Sequence, residues 1–302
     1  MELSLKGTEF LDSFDELWTK SIDEYNKNKI SLFLLKINAN EFNYELLINN
    51  LLESIADYSI SRKVKEKYND KPMKLSKTAR ERFVNYARNN GELGELLLYC
   101  FLESHLNAPK ILTKLELKTS TSHYVNGADG VHFFKLPNGS YQLIFGESKT
   151  IEDLTAAFSD AFKSIYEFKN EINEKGNSKS GINYERGLIS DNLTKETFSE
   201  EEKEFLERLI YPQKENDFQV DDAFGIFVGF QMDISSDDKK MPNDVFREKI
   251  KQRVEYEVNK RLSHISKKID EYKLYGHNFY IYVLPFTEMS EKRKKVMEEL
   301  TK

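Results

Sequence analysis

Two short stretches hold the residue types that a phosphodiester-cleaving metal site needs: Gly127-Ala128-Asp129-Gly130 and Gly146-Glu147-Ser148-Lys149. A divalent cation assists such hydrolysis by polarising the phosphate and activating water, and hard cations of this kind take carboxylate oxygens. A lysine close by stabilises developing negative charge or orients the attacking water. Side chains alternate across a strand, so Glu147 and Lys149, two residues apart, share a face if they lie on one. Alone, a glutamate followed two residues later by a lysine is a weak signal in a chain with 32% charged residues. The setting strengthens it, because the pair closes the apolar run Leu143-Ile144-Phe145 and Asp129 stands one hairpin upstream. Carboxylates in apolar surroundings are costly unless paired or metal-bound.

The elements that must position these groups can be read from turn and periodicity signals. Extended segments are expected over 111–118, 128–136 and 141–149, the last two joined by a hairpin at Pro137-Asn138-Gly139. A three-residue loop sets Leu136 opposite Ser140 and Asp129 opposite Glu147, on one face. A two-residue Asn138-Gly139 loop shifts the register by one and turns Asp129 away, unless a bulge at Gly127 or Gly130 restores it. Before the strands, a long helical pattern spans 78–106, interrupted by Gly91 and Gly94 and stopped by Asn107-Ala108-Pro109. Glu92 and Glu95, three apart, are neighbours on this helix. Each glycine costs about 1 kcal/mol relative to alanine, which suggests that close approach of helix to sheet is needed, with one of the two glutamates reaching the metal or holding its water.

Residues 1–75 read as a mixed N-terminal α/β region, with a strand over 29–37 and helical spacing over 44–68. Residues 76–302 read as the main domain. It continues with an amphipathic helix over 154–171, a polar insertion over 175–222 holding one short helix capped by Ser199 and Glu202, a strand over 223–232, a long charged helix over 244–275, a strand over 278–285 and a last helix over 288–300. That order implies an α/β fold with a mixed central sheet flanked by helices.

Net charge is −6, yet between Arg62 and Arg88 ten basic residues stand against three acidic ones. Such a run is either a solvated face or a phosphate-contacting patch. The five histidines (His105, His123, His132, His264, His277) lack paired zinc spacing and are expected to be structural or exposed, with His132 facing away from Asp129. Cys100, the single cysteine, lies in an apolar helical run and reads as core packing. Ser120, Thr121 and Ser122 form a polar loop. No P-loop, dinucleotide fingerprint, membrane span or signal peptide is present, so the expectation is a soluble cytoplasmic protein.

The segment from Asn90 to Tyr166 resembles the HamA family, the nuclease subunit of the Hachiman anti-phage defence system. The resemblance is carried by GELGELLLYCFLESHLNAPK, the 114–120 segment, GADGVHFF and LIFGESKT, in that order and spacing. It implies a PD-(D/E)xK restriction-endonuclease-like core, a DNase using Mg2+ or Mn2+, and a partner helicase subunit (HamB-like) that restrains or licenses it. By the same resemblance Asp129, Glu147 and Glu95 are metal ligands, Lys149 is the catalytic lysine and Glu92 is the neighbour of Glu95. Ala128 stands where the wider superfamily has proline, which leaves the ligand in place. The other expectation is a nuclease-like subunit, catalytically weak, that binds DNA or the helicase.

Overall fold

Long apolar runs form the middle of the sheet. Strands β7 (Tyr141–Thr150), β8 (Val220–Gln231) and β9 (Asn278–Phe286) pair in parallel, and β2 (Lys29–Leu35) lies parallel on the far side of β9. Strands covered on both faces read as continuous rather than alternating apolar stretches, and residues 223–230 are all buried. β1 (Phe14–Ser21) closes one edge antiparallel to β2. β6 (Gly130–Lys135) and β5 (Lys110–Thr113) continue antiparallel on the other side. The resulting mixed sheet has the order β1-β2-β9-β8-β7-β6-β5, and a ribbon of β3 (Ile37–Asn38) and β4 (Glu41–Phe42) stands apart. The computed structural model describes residues 1–5, 9–68, 70–86, 91–113, 115, 127–213 and 216–302.

Helices cover both faces. On one side α4 (Glu92–Ser104) lies against β7 and β8, with α1 (Tyr44–Ser59) and α11 (Met289–Thr301) packed against it and α3 (Pro72–Tyr86) packed on those two. Opposite, α5 (Leu154–Asn170) covers the same two strands and is backed by α10 (Leu262–Glu271). The remaining helices are α2 (Arg62–Glu66), α6 (Ile182–Asn192), α7 (Glu200–Ile210), α8 (Ser236–Lys239) and α9 (Asn243–Asn259). The fold is therefore mixed α/β, with a seven-stranded central sheet flanked by helices, as expected.

Three details differ from the sequence reading. The pattern over 78–106 is two helices: α3 starts at Pro72, where a proline costs no hydrogen bond, and α4 begins afresh with Gly91 as its N-cap. The stretch over 244–275 also divides, because Arg261 leaves the helical path (φ −105, ψ 0) and its guanidinium donates to Glu257 O at 2.8 Å and Thr155 Oγ1 at 3.0 Å. Within 175–222 there are two α-helices, α6 and α7, joined by a 3-10 turn at Leu193–Lys195. Ser199 Oγ does accept from Glu202 N, but the Glu202 carboxylate accepts from Phe198 N rather than from Ser199.

The core is centred on Phe101 of α4. Its ring lies 4.9 Å from Phe10, 5.3 Å from Phe14, 4.7 Å from Phe33, 6.2 Å from Phe227 and 4.9 Å from Tyr282. One side chain thus ties α4 to β1, β2, β8 and β9. Cys100 beside it is fully buried, and burial pushes its thiol well up. Replacing Phe101 with alanine is expected to cost about 3–5 kcal/mol, read as a shifted urea midpoint. A loss under about 1 kcal/mol would show that α4 is held elsewhere.

Candidate active site

The β6–β7 hairpin decides which side chains meet. Leu136 N donates to Ser140 O at 2.8 Å, and Gly139 takes a left-handed φ of +87 that a side chain would strain. The turn is thus the three-residue Pro137–Gly139 loop, and the ladder pairs Val131 with Phe145, Phe133 with Leu143 and Lys135 with Tyr141. That register does not run on to an Asp129–Glu147 pair, as the three-residue loop alone had led one to expect, because the ladder is broken by a bulge at Asp129, whose N–H bonds to Gly146 O out of step with it. Asp129 is held by its own backbone as well as by its carboxylate: its N–H donates to Gly146 O at 2.8 Å, and Ser148 N donates to its Oδ2 at 2.7 Å.

Neighbours assign the faces of β7. Phe145 packs against Phe168 of α5 with ring centroids 5.4 Å apart, whereas Gly146 and Ser148 face α4. By alternation Glu147 and Lys149 lie on the α5 side. Lys149 Nζ is 2.6 Å from Glu147 Oε1, with 26% and 16% of these side chains exposed, so the pair opens to solvent at one end. Burial pushes the Lys149 ammonium down, but the charge and hydrogen bond of Glu147, then the charges of Asp129 and Asp160, more than offset this and leave its pKa raised. Asp160, an exposed residue of α5, was not singled out by sequence, where it looks like any acid on a polar helix face.

The α4 side of the sheet contributes differently. A Cβ on Gly94 would lie 2.9 Å from Thr150 Oγ1 and 3.3 Å from Ser148 Oγ, so this glycine does allow the close approach expected of it. A Cβ on Gly91 would meet Glu95 Oε1 at 3.5 Å and, among the described residues, no atom of the sheet within 4 Å. Buried Glu95 accepts from the Tyr58 hydroxyl at 3.5 Å and lines a narrow pocket with Asp129, Gly130, Thr113, His132 and Gly146. Glu92 is also buried, and its charge acts on Arg293 of α11. Burial pushes that guanidinium down while Glu92 raises it, and Arg293 Nη1 donates to Thr150 O at 3.4 Å. Arg293 reaches the end of β7 from the far C-terminus, and no local pattern announces it.

Glu147 and Lys149 are therefore paired, Asp129 is bonded to the Ser148 amide between them, and Glu95 lines a pocket with Asp129. Among the described residues no three His, Cys, Asp or Glu side chains form a cage that could hold a metal. Two carboxylates still suit Mg2+, which commonly takes one or two of them together with waters and substrate phosphate. His132 faces α4, its Nδ1 lies 2.8 Å from Ala108 O, and burial pushes its pKa to about 3, so it is a neutral structural residue. The insertion also reaches the site. A Cβ on Gly127 would fall 2.0 Å from Oε2 of Glu185, a fully buried residue of α6, so only glycine fits there without displacing that carboxylate. Arg88, His123, Ser120, Thr121, Ser122 and most of the 114–120 segment lie outside the described residues.

No helix among the described residues is long and apolar enough to cross a membrane. A search of curated proteins gives no match. A family model, HamA, matches residues 12–300, which takes in every strand and helix of the sheet-centred fold. The chain belongs to the HamA family of the Hachiman system and is an anti-phage defence protein.

Proposed function

We propose that this chain is the nuclease of its defence system: a deoxyribonuclease dependent on Mg2+ or Mn2+, held quiet or licensed by a helicase subunit. The observation that carries the reading is the Glu147–Lys149 ion pair at 2.6 Å with the Asp129 carboxylate bonded to the Ser148 amide between them. Asp129 and Glu147 would hold the cation, and Glu95 is placed to contribute from the α4 side, directly or through water. When bound, the metal supplies Lewis acidity toward the phosphate and lowers the pKa of its water. Lys149 remains an ammonium at neutral pH and can donate hydrogen bonds to the attacking water or to phosphate oxygens as negative charge develops. The Ser148 amide fixes the Asp129 carboxylate, so little rearrangement is needed before a phosphate arrives. The second reading is a nuclease-like subunit, catalytically weak, that binds DNA or the helicase.

Plasmid DNA incubated with magnesium separates the two readings. Wild type is expected to convert supercoiled plasmid, alone or with the co-expressed helicase, and Glu147→Ala or Lys149→Ala to lose about 10²–10³-fold in rate. Equal cutting by wild type and variants would sink the enzyme reading. Silence under every condition would leave the binding subunit.

The Lys149 shift gives a second expectation, in metal-free buffer. Its folded-state pKa is raised, so the stability it contributes is complete below the unfolded value of about 10.4 and is lost as pH rises through the folded one. Lys149→Met should lower the urea midpoint by a constant amount from pH 7 to about pH 10, and the gap should close above that. A gap that closes between pH 6 and 8 would contradict the ion pairing described for this site.

A further inference from the structure

The basic stretch between Arg62 and Arg88 is only partly used by the fold. The Arg62 guanidinium donates to Glu2 O, Ser4 Oγ and Lys110 O, its backbone N–H faces the Glu196 carboxylate, and Lys65 pairs with Asp57. The rest is concentrated on α3. Its inner stripe, Leu75, Ala79 and Phe83, is half-buried to buried at i, i+4 spacing, while Lys71 at its N-terminus and Lys74, Lys77 and Arg82 along it are exposed. Lys77 pairs with Glu81 at 3.8 Å, and among the described residues Lys71, Lys74 and Arg80 make no ion pair.

Position makes this face relevant to the candidate site. Phe83 meets the Tyr58 ring edge-on at 6.0 Å, and the Tyr58 hydroxyl reaches Glu95, so one side chain separates α3 from the wall of the Asp129 pocket. The helix also packs on α11, which carries Arg293 to the end of β7.

We propose that the outer face of α3 is a docking surface for the phosphate backbone of duplex DNA, an inference that rests on the deoxyribonuclease reading. Lys74, Lys77 and Arg80 span about 9 Å of helix, and a duplex carries about one charge per 1.7 Å of its axis, so the stripe faces several phosphates at once. Charge complementarity selects this occupant. A chain of net charge −6 repels a polyanion at long range, and a local cationic surface next to the site is what lets DNA approach in one orientation.

The test uses the full chain carrying Glu147→Ala, so that DNA stays intact, titrated with a fluorescent duplex over a series of salt concentrations. Adding K74A/K77A/R80A is expected to weaken binding at least about tenfold at low salt and to reduce the log–log salt slope by about 2–3, each phosphate contact contributing about 0.9. K74R/K77R should bind as the parent does, and the melting temperature of K74A/K77A should be unchanged because both side chains are exposed. Parental affinity and slope in the triple variant would overturn the proposal. If that variant instead loses only capture of the helicase subunit, the surface docks protein and the proposal also fails. A parent without DNA affinity at any salt, beside a wild type that cuts no plasmid, would bring down the deoxyribonuclease reading and this one with it.

Discussion

The register of one hairpin is the constraint on which the site depends. With Gly139 at φ +87 closing a three-residue turn, Val131 lies opposite Phe145 and Gly146 O accepts from Asp129 N, which lets the Asp129 carboxylate reach the Ser148 amide between Glu147 and Lys149. Packing on both faces guards that register. Phe133 and Tyr141 join Phe205 and Phe218 of the insertion in a cluster with ring separations of 4.9–6.4 Å on the α5 side, while His132 and Ile144 are buried on the other. A slip of one residue would carry each of these to the wrong face. The insertion thus does more than decorate the fold, since its aromatics help to lock the register and its Glu185 fills the space beside Gly127.

Close approach of α4 is the second requirement, and small residues supply it. Gly94 lies over Ser148 and Thr150, Gly146 receives Leu98, and Gly225 receives Leu102, each at a separation that leaves no room for a Cβ without displacement. The acids brought in by this approach sit in the first turn of α4, where the helix dipole favours negative charge by about 0.3–1 kcal/mol. That offsets part of the cost of burying Glu92 and Glu95, and Arg293 and the Tyr58 hydroxyl offset more. The two glutamates, equivalent by sequence spacing, are told apart by these tertiary neighbours alone.

Strands β2 and β5 to β9, the β6–β7 hairpin and the shared face of Glu147 and Lys149 could be read from the chain because alternation, apolar runs and turn residues are local signals, whereas the other pairings, between segments far apart in sequence, could not. Glycine at position 94 announced a close packing that the structure contains. Helix ends were harder to read. The break at Arg261 depends on a guanidinium finding Glu257 O and Thr155, and neither contact leaves a mark in helical periodicity. The second helix of the insertion was hidden because α6 buries only Ile182, Glu185, Ile189 and Asn192, too sparse a stripe to stand out in a polar stretch. Asp160 and Arg293 reach the site from α5 and from the last helix, and each looks like an ordinary surface charge until the fold places it.

The charge pattern that results is asymmetric in a way that bears on control. Around Lys149 stand three acids, Glu147, Asp129 and Asp160, so the bare site carries net negative charge toward solvent. Repulsion between like charges falls off with distance and screening, so the acids that Lys149 does not pair with oppose a phosphate close to them. A divalent cation at the carboxylates would cancel that excess, leaving Lys149 and Arg293 as the positive charges nearest the end of β7. Entry of a phosphate would then be coupled to occupancy by the cation. On the proposed deoxyribonuclease reading, in a chain whose overall charge also opposes DNA, cation and orientation would both have to be satisfied before a strand reached Glu147.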